Sequence, residues 1–216
     1  MINTSYFRQT VEQLGETLVF DNGAKVRSAL KYSTAAVFNL SNRAYYIEGQ
    51  TVKSRPMFNV GDYFVRKRDK SGKKYFVSTI QFDACTDELV YMFAAQCNAE
   101  ITVTRYIGKV PNEDGDLKDT FETVCENQPV YRDFTTRSSK QTNDGLIDQA
   151  IYTLLIPHKF LISEKDRVVM KYNEGRKYIE TNFYVENVAC ALADGEELGI
   201  DSVQLSRDNR TEGTTE

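Results

Sequence analysis

Two stretches of the sequence contain the same features in the same order and predict β-hairpins: "GDYFVRKRDKSGKKYFVSTI" at residues 61–80 and "KDRVVMKYNEGRKYIETNFYV" at residues 165–185. Each contains an aspartate, an apolar run, a turn that ends near a glycine, and a Lys-Tyr that opens a second apolar run. A glycine at the end of a short loop provides the left-handed backbone that realigns two antiparallel strands. We therefore predict β-hairpins at 62–82 and 166–185, produced by duplication of a β-unit. Chance similarity between two unrelated hairpins is the alternative.

The turns of these hairpins are predicted at Asp69–Gly72 and Tyr172–Gly175. Both Gly72 and Gly175 should have positive φ, because each turn needs a residue with left-handed backbone and glycine adopts it without the strain that a side chain would cause.

Short β-type runs separated by turns occupy most of the remaining chain, and this pattern is typical of a sandwich or small barrel. "ETLVF" is followed by Asp-Asn-Gly, a strong hairpin signal. Near the N-terminus, apolar residues recur at helical spacing over residues 4–14. We predict a mainly β protein of two small antiparallel β-barrel or sandwich modules, residues 1–110 and 111–216, with a short N-terminal helix. "PNEDGDL", from residue 111, is either a linker or a hairpin tip.

Composition restricts the possible function classes. The 216 residues carry a net charge of −4, so the chain as a whole lacks the basic character of a nucleic-acid-binding protein. No apolar run approaches the length of a membrane span, and the polar N-terminus does not look like a secretory signal. These features predict a protein that is made in the cytoplasm and has no membrane partner.

The sequence presents no recognisable catalytic or metal-binding set. Its one histidine, His158, follows a proline in an apolar run, and no nucleophile elbow, Walker loop or dinucleotide-binding glycine pattern occurs. The cysteines are too widely separated for a structural zinc site, which favours reduced thiols: Cys85, Cys97, Cys125 and Cys190. We predict no catalytic residue, no metal and no cofactor.

Basic residues are concentrated at the first hairpin tip, where six of the nine residues 66–74 are lysine or arginine. Hairpin tips of this kind can contact phosphates. A solvated turn whose lysines prevent edge-strand pairing is the alternative. The residues of the possible nucleic-acid contact are Arg66, Lys67, Arg68, Lys73 and Lys74.

Two polar segments, residues 131–145 and 206–216, have too few apolar residues to form a core of their own. Long polar loops in compact domains are usually functional or disordered. We predict that both segments contact partners, with Phe134, Arg137 and Lys140 at the interface. A plain solvated loop at residues 131–145 is the alternative.

Most of the chain also resembles a known group of proteins. The order "VEQLGETLVFDNGAKVRSAL", "YYIEG", "GDYFVRKRDKSGKKYFVSTI" and "YMFAAQCN" resembles the head-closure and neck (head-tail connector) proteins of tailed bacteriophages. Members of that group typically have a short helix and a hairpin, then a Gly-Asp strand, a Lys-Tyr strand and a strand that ends near Gln-Cys-Asn.

The resemblance implies a structural virion protein without enzymatic activity. It would form a homo-oligomeric ring between a portal or adaptor protein and the tail proteins, gate the DNA channel, and contact channel DNA transiently. Head closure, adaptor and tail-completion roles are equally compatible with it. The alternative from the residues themselves is a non-enzymatic β-barrel module that binds an oligonucleotide or a peptide.

Overall fold

The computed structural model describes residues 9, 13–32, 43–48, 58–82, 89–111, 115–134, 152–193 and 199–207. These residues form two closed antiparallel barrels of six strands each, which confirms the predicted mainly β fold. The one short helical element described is a 3-10 turn at His158–Phe160. The predicted helix at 4–14 falls mostly outside the described residues. Only its positions 9, 13 and 14 are described, and their backbone is helical without forming a described element.

The first barrel closes in the order β1-β2-β3-β6-β5-β4. Its strands are β1 (Glu16–Phe20), β2 (Lys25–Tyr32), β3 (Arg43–Glu48), β4 (Tyr63–Arg66), β5 (Lys74–Phe82) and β6 (Leu89–Gln96). Alternate residues of β1 face inward, as the period of a strand requires. Aromatic rings dominate this core: Phe20 stacks on Phe58 with ring centroids 5.0 Å apart, and Phe64 stacks on Tyr75 at 5.4 Å.

The second barrel closes in the order β7-β8-β9-β12-β11-β10. Its strands are β7 (Ala99–Pro111), β8 (Leu117–Phe134), β9 (Tyr152–Pro157), β10 (Arg167–Glu174), β11 (Lys177–Ala193) and β12 (Gly199–Arg207). This is the strand order of the first barrel with every number raised by six. The unit that repeats along the chain is therefore larger than the two predicted hairpins and comprises a whole six-stranded barrel.

The same turn precedes the hairpin in both barrels. In the first, the Asn59 N–H donates to the Asp62 carboxylate at 2.8 Å, and the Asp62 N–H donates to the Asn59 carbonyl at 3.1 Å. Gly61, at φ +88°, donates its N–H to the carbonyl of Val77 on β5 at 2.8 Å. The Val77 N–H returns a bond of 3.0 Å to the Asp62 carbonyl. The Asp62 carboxylate thus stabilises the turn, and the backbone of the turn is hydrogen-bonded to β5.

In the second barrel, Ser163 and Asp166 exchange the corresponding pair of bonds, at 2.9 and 3.2 Å. Lys165 donates to the Val185 carbonyl at 2.8 Å, and Val185 donates to the Asp166 carbonyl at 2.9 Å. Lys165 lies at φ +71°, so the repeat keeps a left-handed backbone here although the residue is not glycine.

The two hairpins differ in length. The last residue pair before the first turn is Val65 with Lys74, and a long loop of residues 67–73 joins the end of β4 to the start of β5. The second ladder continues to Glu174 with Lys177, which leaves a loop of only Gly175 and Arg176. Both predicted hairpins and both positive-φ glycines are confirmed, at φ +66° for Gly72 and +63° for Gly175.

The predicted second turn at Tyr172–Gly175 is misplaced, because Tyr172 lies within β10. The two Lys-Tyr pairs are also not equivalent. Tyr75 pairs with Phe64 and is buried, whereas the residue in its register position in the second barrel is Phe183. Tyr178 instead lies near the hairpin tip and is 63% exposed.

The chain first passes from one compact unit to the other between Cys97 and Asn98, and the later segments Pro157–Lys159 and Ala191–Ile200 group with the first unit. The expected division at residue 110 lies too late, because all of β7 pairs within the second barrel. Pro111, at the start of the stretch predicted as a linker or a hairpin tip, pairs with Leu117 at its end.

Candidate nucleic-acid interface

The loop between β4 and β5 forms a shallow groove at one end of the first barrel. Its cavity has a volume of about 310 Å³. The lining residues are Arg66, Arg68, Asp69, Lys73, Tyr75 and Gln96. Three of the five basic residues predicted for a nucleic-acid contact therefore lie around one groove. The sequence pattern did not indicate that Tyr75 and Gln96, which are neighbours across β5 and β6, would line it too.

Asp69 fixes the shape of the loop. Its carboxylate accepts the Ser71 N–H at 2.9 Å and the Ser71 hydroxyl at 2.5 Å, and Gly72 then turns the chain with positive φ. These hydrogen bonds from Ser71 are the main reason that the pKa of Asp69 is lowered, and the nearby Arg66 and Lys73 lower it further. Asp69 is thus an anion at neutral pH, and it offsets part of the positive charge of the basic side chains around it.

Two of the predicted contact residues are ion-paired with carboxylates of the same barrel. Arg66 donates to Glu16, which is buried, with an Nη2–Oε1 distance of 2.8 Å. Lys74 lies 3.0 Å from Asp21. These two cations are partly neutralised, and Arg66 joins the end of β4 to the start of β1.

The other three, Lys67, Arg68 and Lys73, have exposed side chains. No ion pair of theirs is found in the part of the chain that the structure describes. Six cations in residues 66–74 face three carboxylates, namely Asp69 of the loop and the two acids of the ion pairs. The segment 66–74 with its three carboxylate partners therefore keeps a positive excess of three in a chain whose net charge is −4, and the cations of this segment that line the groove are Arg66, Arg68 and Lys73.

The groove has no aromatic surface for base stacking. Tyr75 is 1% exposed and its ring is stacked on Phe64 in the core. Proteins that bind single-stranded nucleic acids through their bases present exposed aromatic rings on which the bases stack. A groove with exposed cations and a buried ring is suited to the phosphate backbone of a ligand.

The end of the second barrel is built differently. Arg132 lies over two tyrosine rings, 4.0 Å from the centroid of Tyr172 and 4.9 Å from that of Tyr152. Asn98 holds the Arg132 backbone by accepting its N–H at 2.6 Å and donating to its carbonyl at 2.8 Å. At the hairpin tip of this barrel, Arg176 and Lys177 follow Glu174, so no comparable excess of cations forms. The basic groove is a property of the first barrel.

The described thiols are poor nucleophiles. Burial is the main cause that raises the pKa of Cys97 to about 12 and that of Cys125 to about 11, so both remain protonated at neutral pH. Neither forms a disulfide. His158 begins the 3-10 turn after β9. Among the described ranges, no group of three or more His, Cys, Asp or Glu side chains is placed to hold a metal ion.

The predicted interface segment is only partly described. Tyr131 to Phe134 belong to β8 and pair with β9, so the start of the segment expected to be a loop is strand. Arg137 and Lys140 lie outside the described residues, as does the predicted tail beyond Arg207. Within the described ranges, no helix is long and apolar enough to cross a membrane.

No protein-family model matches the chain, and the search of curated proteins returns no match. Among solved structures, the chain is similar to MrkH, described as a c-di-GMP-dependent transcription regulatory factor, with 12% identity and a TM-score of 0.24 over 95% of this chain and 82% of that one. The K. pneumonia MrkH–c-di-GMP complex gives 10% identity and a TM-score of 0.25 over 96% and 85%. The apo form of MrkH gives 11% and 0.24 over 95% and 85%.

The comparisons contradict the predicted role as a phage neck protein. The structural neighbours reported are a transcription regulator, not a virion component. We withdraw the assignment as a head-closure ring that gates a DNA channel. The TM-scores are too low to transfer the regulator's activity to this chain. The resemblance to phage sequences, the ring, the portal and tail partners and the virion location stay predictions that no observation tests.

Proposed function

We propose that the first barrel is a non-catalytic module that binds nucleic acid through the phosphate backbone. The observation that carries this proposal is the local excess of positive charge around the groove, in a chain that is acidic overall. Lys67, Arg68 and Lys73 are exposed, and Asp69 and the Arg66–Glu16 pair hold the loop that presents them. A preformed basic loop binds phosphates without ordering the chain first.

The absence of an exposed ring in the groove favours sequence-independent binding. Base edges are read by well-positioned side chains in a groove of the nucleic acid, whereas phosphate contacts carry no sequence information. Three phosphate contacts on a single strand give a slope of log K against log[salt] of about −2. Affinity for an oligothymidylate should therefore fall about twentyfold when salt is raised from 50 to 200 mM.

The test is fluorescence anisotropy with a labelled oligothymidylate. The double variant Arg68→Ala/Lys73→Ala should bind weakly and reduce the salt slope to about −0.7, since each lost phosphate contact removes about 0.7. The matched control is Arg176→Ala/Lys177→Ala, which removes two cations from the equivalent hairpin tip of the second barrel. This control should bind as the unaltered protein does.

Three outcomes would overturn the proposal. The first is no binding at 50 mM salt, and the second is an equal loss of affinity in both double variants. The third is equal affinity for polyglutamate, which would indicate a general anion site. Cyclic di-GMP serves as a compact competitor: displacement of the oligonucleotide by it at equal phosphate concentration would indicate a dinucleotide pocket instead of a groove for a strand.

A further inference from the structure

The strands β7 and β8 continue beyond the barrel as a two-stranded arm, defined here as residues 105–111 and 115–122. Pairing between β10 and β7 ends at Thr104, while the β7–β8 ladder continues to Pro111 with Leu117. The pairing of β8 with β9 begins only at Tyr131. In the arm, neither outer edge has a strand partner among the described residues.

Such an arm is difficult to stabilise alone. An isolated two-stranded ribbon is marginally stable in water, because it has no second layer on which to bury apolar residues. Yet four apolar residues of this arm are about half exposed or more: Tyr106 at 49%, Val110 at 51%, Ile107 at 56% and Leu117 at 63%. Tyr106 packs on Phe121 with centroids 5.6 Å apart, and its hydroxyl donates to Asp119 at 3.4 Å. Arg167 of β10 lies over the Phe121 ring, 4.5 Å from its centroid. This combination is typical of an interaction surface.

The two edges of the arm are not equally available. On the β7 side the ladder shifts between Tyr106 and Gly108, which leaves Ile107 as a bulge, and Pro111 has no N–H to donate. Bulges and prolines are devices that prevent edge pairing. On β8 every residue from Leu117 to Glu122 has a partner on β7, and the extra residue of the bulge lies on β7, so the β8 edge is continuous and open.

The β8 edge is self-complementary in charge. If two copies pair antiparallel about a twofold axis at Thr120, Lys118 of each copy lies directly opposite Glu122 of the other. Both side chains are exposed. Directly opposed residues of antiparallel strands lie on one face with Cβ atoms about 5 Å apart, so the dimer gains two Lys–Glu pairs. We propose that this protein dimerises by pairing the β8 edges of two arms, with Thr120 on the axis, to form a four-stranded sheet.

The dimer is tested by sedimentation equilibrium and by charge exchange. Lys118→Glu and Glu122→Lys each place like charges opposite one another twice, and each should raise the dimer dissociation constant about tenfold or more. The double variant Lys118→Glu/Glu122→Lys restores opposite pairs and should dimerise as the unaltered chain does. Lys177→Glu, an exposed lysine at a tip of the same barrel, is the control and should have no effect.

A crosslink locates the axis. Thr120→Cys should form an interchain disulfide under mild oxidation, because the two copies face each other across the axis. Lys109→Cys, on the other edge of the arm, should not crosslink. A chain that is monomeric at every concentration would overturn the proposal. So would a double charge exchange that fails to restore the dimer, or a crosslink from Lys109→Cys equal to that from Thr120→Cys. Oligonucleotide binding at the groove is a separate readout, and its failure leaves these outcomes unchanged.

Discussion

Replacing the aspartate of the repeated turn by alanine should have unequal effects in the two barrels. Asp62→Ala removes one acceptor for the Asn59 N–H in an exposed turn, so it should cost about 1 kcal/mol of unfolding free energy. Asp166→Ala removes the acceptor of the Ser163 N–H and the bidentate partner of Arg105, whose Nε and Nη2 lie 2.9 and 2.8 Å from the carboxylate.

Asp166 is 2% exposed, and removing one member of a buried ion pair typically costs about 3–5 kcal/mol. The Arg105 side chain is 36% exposed and keeps bonds to the Leu161 carbonyl and the Ser163 hydroxyl. It can therefore rehydrate, which places the expected cost near the lower limit, at about 3 kcal/mol. Asp166→Asn keeps an acceptor without the charge and should fall between the two alanine variants.

The measurement is native-state hydrogen exchange of β5 and β11 amides. An increase of about 150-fold in exchange corresponds to 3 kcal/mol, and about fivefold to 1 kcal/mol. The comparison is valid whether the barrels open separately or together, because each variant is compared with the unaltered chain. Equal effects of Asp62→Ala and Asp166→Ala would refute the reasoning, since the ion pair with Arg105 would then contribute nothing.

Two further predictions concern the turns and the thiols. Gly72→Val and Gly175→Val should each lower the free energy of unfolding, measured in urea, by roughly 1–3 kcal/mol. An added Cβ meets no atom within 4 Å at either site, so the cost is backbone strain at positive φ, and a neutral effect at both sites would contradict the prediction. Burial raises the pKa of the Cys97 and Cys125 thiols in the folded state, so the thiols of the unfolded chain ionise first. The free energy of unfolding should therefore be highest below pH 9 and fall between pH 9 and 12. Cys97→Ser should reduce this fall, and an unchanged pH profile would argue against the prediction.

Part of the candidate site followed from the sequence. The basic residues at 66–74 are consecutive and lie in a loop between two apolar runs, so their position at one hairpin tip is a local property. Glu16 could not be assigned, because its partner Arg66 is 50 positions away. Its approach depends on the pairing of β1 with β4, which brings Leu18 opposite Arg66. Which cations are neutralised and which remain for a ligand is therefore known only from the folded barrel.

The two hairpins and their glycine turns could be predicted from the sequence, because turn chemistry and strand alternation are local. The lengths of the two hairpins could not be predicted from the sequence and are known only from the pairing of the strands in the folded barrels. The first uses a long loop at 67–73 and the second a two-residue loop, so the similar Lys-Tyr pairs fall at different places in their ladders. An alternating pattern does not specify where a ladder ends, and ring closure and the β7–β8 arm depend on contacts between strands distant in sequence.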